Sequence, residues 1–229
     1  MRPTFRNRKH AGEVLAARLG AYAGRDDVVV LALPRGGVPV AFEVARALGA
    51  PLDVFTVRKL GVPGHEECGF GAIATGGVRV LDHEFVRRLD LPEILIDRIT
   101  SRERLELERR ERVYRGQRPA PVLAGKTVIV VDDGLATGWT MRAAVQALRA
   151  SGPATIVVAV PTGARQTCAD LRRHADAVVC ATTPEPFYAV GQEYGDFSAT
   201  SDDEVCRLLA AAESPVSRDD DGGAGSRVA

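Results

Sequence analysis

Residues 128–141 read V-I-V-V-D-D-G-L-A-T-G-W-T-M, and few folds accommodate such a run. Val128, Ile129, Val130 and Val131 are consecutive apolar residues without polar alternation, the pattern of a parallel strand covered on both faces. The run stops at Asp132 and Asp133, which puts two carboxylates at a strand's C-terminal end, where open α/β sheets bind their ligands. Ala136, Thr137, Gly138, Trp139 and Thr140 then form a small-residue turn feeding a helix through Arg142, Ala143, Val145, Leu148 and Arg149. A helix start offers unpartnered N–H groups and a positive dipole, which suit a phosphate. Carboxylates beside a phosphate cradle suit a ligand bearing hydroxyls, and a ribose 5-phosphate carries both groups.

The same strand, turn and helix sequence occurs once before. The apolar run 28–33 ends in Pro34, Arg35, Gly36 and Gly37, and helical periodicity resumes over 40–48. The two glycines let backbone N–H groups approach an anion closely, and Arg35 adds charge. A helix with Ala11, Val14, Leu15 and Leu19 on its apolar face precedes this unit. After it, a strand over 52–57 is expected to end in Arg58 and Lys59, cations directed into the same crevice as the carboxylates. Strands over 155–160 and 177–181, with a helix over 166–174 between them, complete a doubly wound, mostly parallel α/β sheet of about five strands.

Residues 61–71 are rich in glycine and charge and are expected to form a mobile loop. Gly69, Gly71 and Ala74 formally fit a dinucleotide fingerprint, but no strand and helix flank them in the required way. Residues 72–75 and 78–81 instead predict a hairpin turned at Gly76 and Gly77. Over 82–118 the chain becomes dense in Arg and Glu, with Pro92 at a first helical position. Glu106 and Arg110, Glu108 and Arg112, and Glu111 and Arg115 stand four apart, as on a solvated helix face. This insertion suits a lid or a subunit contact in a homodimer. A short final helix is expected over 202–211.

Thirty basic residues balance thirty acidic ones, so no global field recruits nucleic acid or an anionic membrane. The apolar runs are too short to span a bilayer, and the basic start lacks the apolar core of a secretory signal. Cys68, Cys168, Cys180 and Cys206 contain no C-x-x-C pair, so reduced thiols in a cytoplasm are the expectation.

The stretch 128–140 resembles the phosphoribosyl diphosphate (PRPP) signature of the type I phosphoribosyltransferases, and Pro34 to Gly37 resembles their pyrophosphate loop. The resemblance implies that Asp132 and Asp133 hold the ribose 2′- and 3′-hydroxyls and, through PRPP and water, a Mg²⁺ ion. It implies that Leu135, Ala136, Thr137, Gly138, Trp139 and Thr140 wrap the 5′-phosphate. Pro34, Arg35, Gly36 and Gly37 would receive pyrophosphate, with a non-proline cis peptide expected at Arg35 or Gly36. Lys59, with Arg58 second, would add a basic contact at the root of a closing loop. Family members also place a variable hood over the acceptor, here the chain's start and 182–212, where Phe187 and Tyr188 are candidates to stack on a base. The layout implied is one domain over 1–212, carrying the loop and helical insertion of 61–118, with a disordered tail over 213–229.

The implied activity is transfer of ribose 5-phosphate from PRPP to an acceptor base. Ala136 departs from the purine-salvage pattern, which has an Asp there to exchange a proton with the base. A PRPP-sensing regulator, or a module binding another sugar phosphate without chemistry, therefore stands as the alternative.

Overall fold

The computed structural model describes residues 4–213, and of 65–68 the backbone only. In chain order the elements are α1 (Arg8–Arg18), β1 (Val28–Ala32), α2 (Gly37–Leu48), β2 (Leu52–Val54), β3 (Val57–Val62), β4 (His65–Ala74), β5 (Val78–Leu81), α3 (His83–Arg88), α4 (Glu93–Arg115), β6 (Thr127–Val131), α5 (Trp139–Arg149), β7 (Thr155–Thr162), α6 (Arg165–Leu171), β8 (Ala177–Thr182) and α7 (Asp202–Glu213). Five parallel strands make the central sheet in the order β2-β1-β6-β7-β8, and β3-β4-β5 form a separate antiparallel sheet.

The unalternating apolar runs are explained by burial on both faces, since successive side chains of a strand point to opposite sides. Val28, Val30, Ala32, Ile129, Val131, Val157 and Ala159 join one core layer with α1, α2 and α7. Val29, Leu31, Val128, Val130, Ile156, Val158 and Val160 join the other, with α5, α6 and part of the small sheet. The chain leaves β1 toward β2 on one side, whereas β6 continues to β7 on the other. The C-terminal ends of the neighbouring β1 and β6 therefore flank the reversal point where such sheets open a crevice.

Several expectations need correction. The strand expected over 52–57 breaks after Val54, and Arg58 and Lys59 lie inside β3, not at a parallel strand's end. Residues 61–71 are not an irregular loop; most of them belong to β3 and β4, which pair antiparallel with register shifts around Gly61. The glycines that gave the stretch its loop-like look mark close approach. A Cβ on Gly71 would lie 2.5 Å from the Val80 carbonyl oxygen, and one on Gly69 would lie 2.8 Å from the Trp139 ring. The hairpin expected at Gly76 and Gly77 is present as β4 and β5, both glycines having positive φ.

The charged stretch is α3 and α4, and α4 is only partly solvated. Ile96, Ile99 and Leu107 pack with Leu60, Phe70 and Ile73 of the small sheet. Pro92 caps α4 from just outside, and of the three expected ion pairs only Glu106 with Arg110 is close, at 2.8 Å. Glu111 and Arg115 are 4.0 Å apart, while Arg112 turns to the Glu108 carbonyl. Arg115 instead bonds Asp53 at the edge of the main sheet, 3.0 Å away. Glu213 closes α7, and the rest of the expected tail lies outside the described residues.

Candidate active site

The two motifs, nearly a hundred residues apart in the chain, meet because β1 and β6 are neighbours. The Leu33 amide donates to the Val131 carbonyl at 2.9 Å, extending the pairing to the root of both loops. The Pro34–Arg35 peptide is cis, one of the two places expected, and α2 begins at Gly37. A Cβ on Gly36 would lie 2.1 Å from Oδ2 of Asp133, and one on Gly37 would lie 2.7 Å from the Val131 carbonyl and 3.0 Å from Cα of Asp132. The P-R-G-G turn is thus pressed onto the carboxylates so closely that only glycine fits. The Arg35 guanidinium lies 3.8 Å from Asp202 at the start of α7, a half-exposed pair contributing little.

Each carboxylate spends one oxygen on the protein. Oδ1 of Asp132 accepts from the Asp133 amide at 2.8 Å, and Oδ2 of Asp133 accepts from Arg8 at 2.9 Å. Among the described residues nothing donates to Oδ2 of Asp132 or Oδ1 of Asp133. Burial, followed by the neighbouring Asp133 charge, raises the Asp132 carboxyl well above the usual carboxylate range. Asp133 is raised too, again by burial, with Arg8 opposing the shift.

Beyond the carboxylates the loop is held from below. Leu135 is buried; its amide donates to Thr162 and its carbonyl accepts from Ala164, so this residue anchors the loop and is not a ligand contact. The Thr167 hydroxyl on α6 donates to the Ala136 carbonyl at 2.7 Å. Gly138 has φ +69°, and a Cβ there would lie 2.5 Å from the Thr167 methyl. Helix α5 starts at Trp139, slightly earlier than the sequence predicts, so Thr140 lies in its first turn rather than in the preceding loop. Among the described residues the amides of Ala136, Thr137, Gly138, Trp139 and Thr140 have no hydrogen-bond acceptor. Five successive unpartnered donors at a helix start are a disposition that suits an anion, and they are called the amide cradle.

The Trp139 ring packs against Gly69 together with the Lys59 stem, so the side chain braces the small sheet and only its backbone belongs to the cradle. Lys59 therefore faces α5. Arg58, the preceding residue along the strand, faces the opposite way and bonds Glu103 of α4 at 2.7 Å, which removes it from the site. Phe187 and Tyr188 form no ring contact with the loop residues, and Tyr188 is 74% exposed.

The residues that do cover the carboxylates escaped sequence reasoning. Val190 lies where a Cβ on Gly134 would be, the Tyr194 hydroxyl donates to the Asp133 carbonyl at 2.5 Å, and Phe197 stacks on Tyr194 with centroids 5.0 Å apart. Phe5 pairs with Tyr194 as an isolated parallel bridge, so the chain's start and the segment around Tyr194 pack together beside Asp133. No local periodicity marks Arg8 or Tyr194; only the tertiary pairing reveals them.

The profile of the phosphoribosyl transferase domain family matches residues 70–196. A crystal structure of a protein from Thermus thermophilus superposes with a TM-score of 0.82 at 42% identity, covering 92% of this chain and 99% of that one. The chain belongs to the phosphoribosyl transferase family. A Mycobacterium tuberculosis (strain H37Rv) protein provisionally named a phosphoribosyl transferase is 50% identical over 91% of this chain and 47% of its own length. The bifunctional protein PyrR of Actinobacillus pleuropneumoniae (strain L20) is 39% identical over 34% of this chain and 45% of its length. The chain spans about half the length of the curated relatives it matches. Asp132, Asp133 and the start of α5 lie within the segment matched to the phosphoribosyl transferase family, while the Pro34 to Gly37 turn and Arg8 lie outside it. No helix among the described residues is long and apolar enough to cross a membrane.

Proposed function

We propose that the chain is a Mg²⁺-dependent phosphoribosyltransferase that transfers ribose 5-phosphate from PRPP to a nitrogenous base or related acceptor and releases pyrophosphate. The observation that carries this reading is the pairing of five unpartnered amides at the start of α5 with two carboxylates that each keep one oxygen available. The cradle takes the 5′-phosphate and the carboxylates take the ribose hydroxyls. As the C1–O bond to pyrophosphate breaks and a C1–N bond forms, positive charge grows on the sugar, and the nearby carboxylates stabilise it. Negative charge grows on pyrophosphate beside Arg35, the glycine turn and Lys59.

The donor set fits a hard divalent cation, since both available atoms are carboxylate oxygens. Among the described residues no three metal-ligating side chains converge, so Asp132 and Asp133 would hold Mg²⁺ only together with PRPP and water. When bound, Mg²⁺ would neutralise charge on the leaving pyrophosphate. Ala136 cannot receive the acceptor's proton, which leaves to solvent or to the departing pyrophosphate. The described cysteines are unpaired thiols, in keeping with a reducing compartment such as the cytoplasm.

Incubation with PRPP, Mg²⁺ and a panel of bases tests the proposal through pyrophosphate release. One base should release pyrophosphate at rates well above the base-free control. Alanine at position 136 favours a second reading, a PRPP or sugar-phosphate sensor. Tight PRPP binding with no release for any base would replace the first reading by the second.

A further inference from the structure

We infer that Arg8 is a positioning residue for ribose recognition, a strut from α1 that orients the Asp133 carboxylate and ties the cover over the site to it. The inference rests on the proposed ribose 5-phosphate site. Nε and Nη2 of Arg8 both lie 2.9 Å from Oδ2 of Asp133, and Nη1 donates to the Ser198 carbonyl at 2.6 Å. The guanidinium carbon stands 4.0 Å over the Phe197 ring centre and 6.0 Å from that of Tyr194. The side chain is only 12% exposed. All three guanidinium nitrogens and one face of the plane are thereby engaged, an arrangement that needs arginine's planar fork.

The consequence lies in the carboxylate's orientation. Because both Arg8 donors converge on Oδ2, rotation of the Asp133 carboxyl is arrested with Oδ1 as the oxygen left for a ligand. Asp132, fixed by the Asp133 amide, likewise keeps Oδ2. Two acceptor oxygens held on consecutive residues match two adjacent sugar hydroxyls. Without the guanidinium, the carboxylate could turn and would stand unneutralised beside its neighbour, which disfavours a fixed pair. With the 2′-hydroxyl taken by Oδ1 of Asp133, Arg8 governs discrimination between a sugar with two vicinal hydroxyls and one lacking the 2′-hydroxyl. It touches neither the phosphate cradle nor α5.

The test is calorimetric titration of the full chain with ribose 5-phosphate, 2-deoxyribose 5-phosphate and inorganic phosphate, for wild type, Arg8→Met and Arg8→Lys. Wild type should prefer ribose 5-phosphate. Arg8→Met should weaken that affinity about ten-fold or more, the scale of a lost charge-assisted contact, and bring it level with the deoxy sugar. Inorganic phosphate affinity should stay unchanged, and Arg8→Lys should recover part of the preference. Arg8→Met retaining the wild-type preference overturns the inference. So does a uniform loss across all three ligands that Arg8→Lys fails to relieve, because that pattern marks general packing. Failure of wild type itself to bind ribose 5-phosphate would instead remove the underlying site assignment.

Discussion

Asp132 is costly to the protein that carries it. Its carboxyl is half-buried beside a second carboxylate, and its pKa is displaced upward, so the ionised form is less favourable folded than unfolded. Asp132→Asn keeps the oxygen that accepts from the Asp133 amide and removes the charge. We predict a melting temperature above wild type in differential scanning calorimetry, together with loss of ribose 5-phosphate binding, the usual trade at a functional site. A lower melting temperature would mean that the charge is stabilised by something else. Gly36→Ala should also abolish binding while the fold survives, because the new methyl would strike Oδ2 of Asp133, a displacement visible in a ribose 5-phosphate titration. Thr137→Val removes one hydroxyl beside the cradle and should weaken ribose 5-phosphate binding roughly ten-fold. These residues were legible in the sequence, because an apolar run ending in two acids and a glycine loop is a local pattern. Arg8 and Tyr194 were not, since an arginine at a helix start and a tyrosine in a loop acquire meaning only from what packs on them.

The small sheet shows where local composition misleads at the scale of elements. Gly61, Gly69 and Gly71 read as loop residues, yet at 69 and 71 the missing side chain makes room for Trp139, Lys59 and the neighbouring strand. The strand was hidden because close approach and flexibility select the same residue. Leu60 and Phe70 are buried against α4, so amide hydrogen exchange of the ligand-free protein should show protection at Leu60, Ile73 and Ala74, with faster exchange at the shifted pairing around Gly61. Uniformly fast exchange across β3 and β4 would restore the mobile loop expected from composition. Leu107 is one of three buried apolar α4 residues in this cluster; Leu107→Ala should cost about 2–5 kcal/mol in denaturant unfolding. The charged exterior of α4 concealed this face, because its arginines and glutamates outnumber the few apolar positions that pack.

Across the whole molecule, five apolar strands and the helices between them specify the parallel sheet, and the reversal between β1 and β6 brings the two loops together. The sheet was readable because strands buried on both faces leave unbroken apolar runs. The cover was not, because it joins residues near the chain's start to the segment around Tyr194, far away in the chain, through backbone bonds of Phe5 and Arg6 and the Arg8 guanidinium. The central claim is that the start of α5 holds a sugar's phosphate while Asp132 and Asp133 hold its hydroxyls. A crystal structure of the protein with ribose 5-phosphate tests it most directly. The account predicts phosphate oxygens within hydrogen-bond distance of the amides of residues 137–140, and ribose hydroxyls on Oδ2 of Asp132 and Oδ1 of Asp133. A phosphate bound only at Arg35 and Lys59, with the start of α5 untouched by ligand, would contradict it.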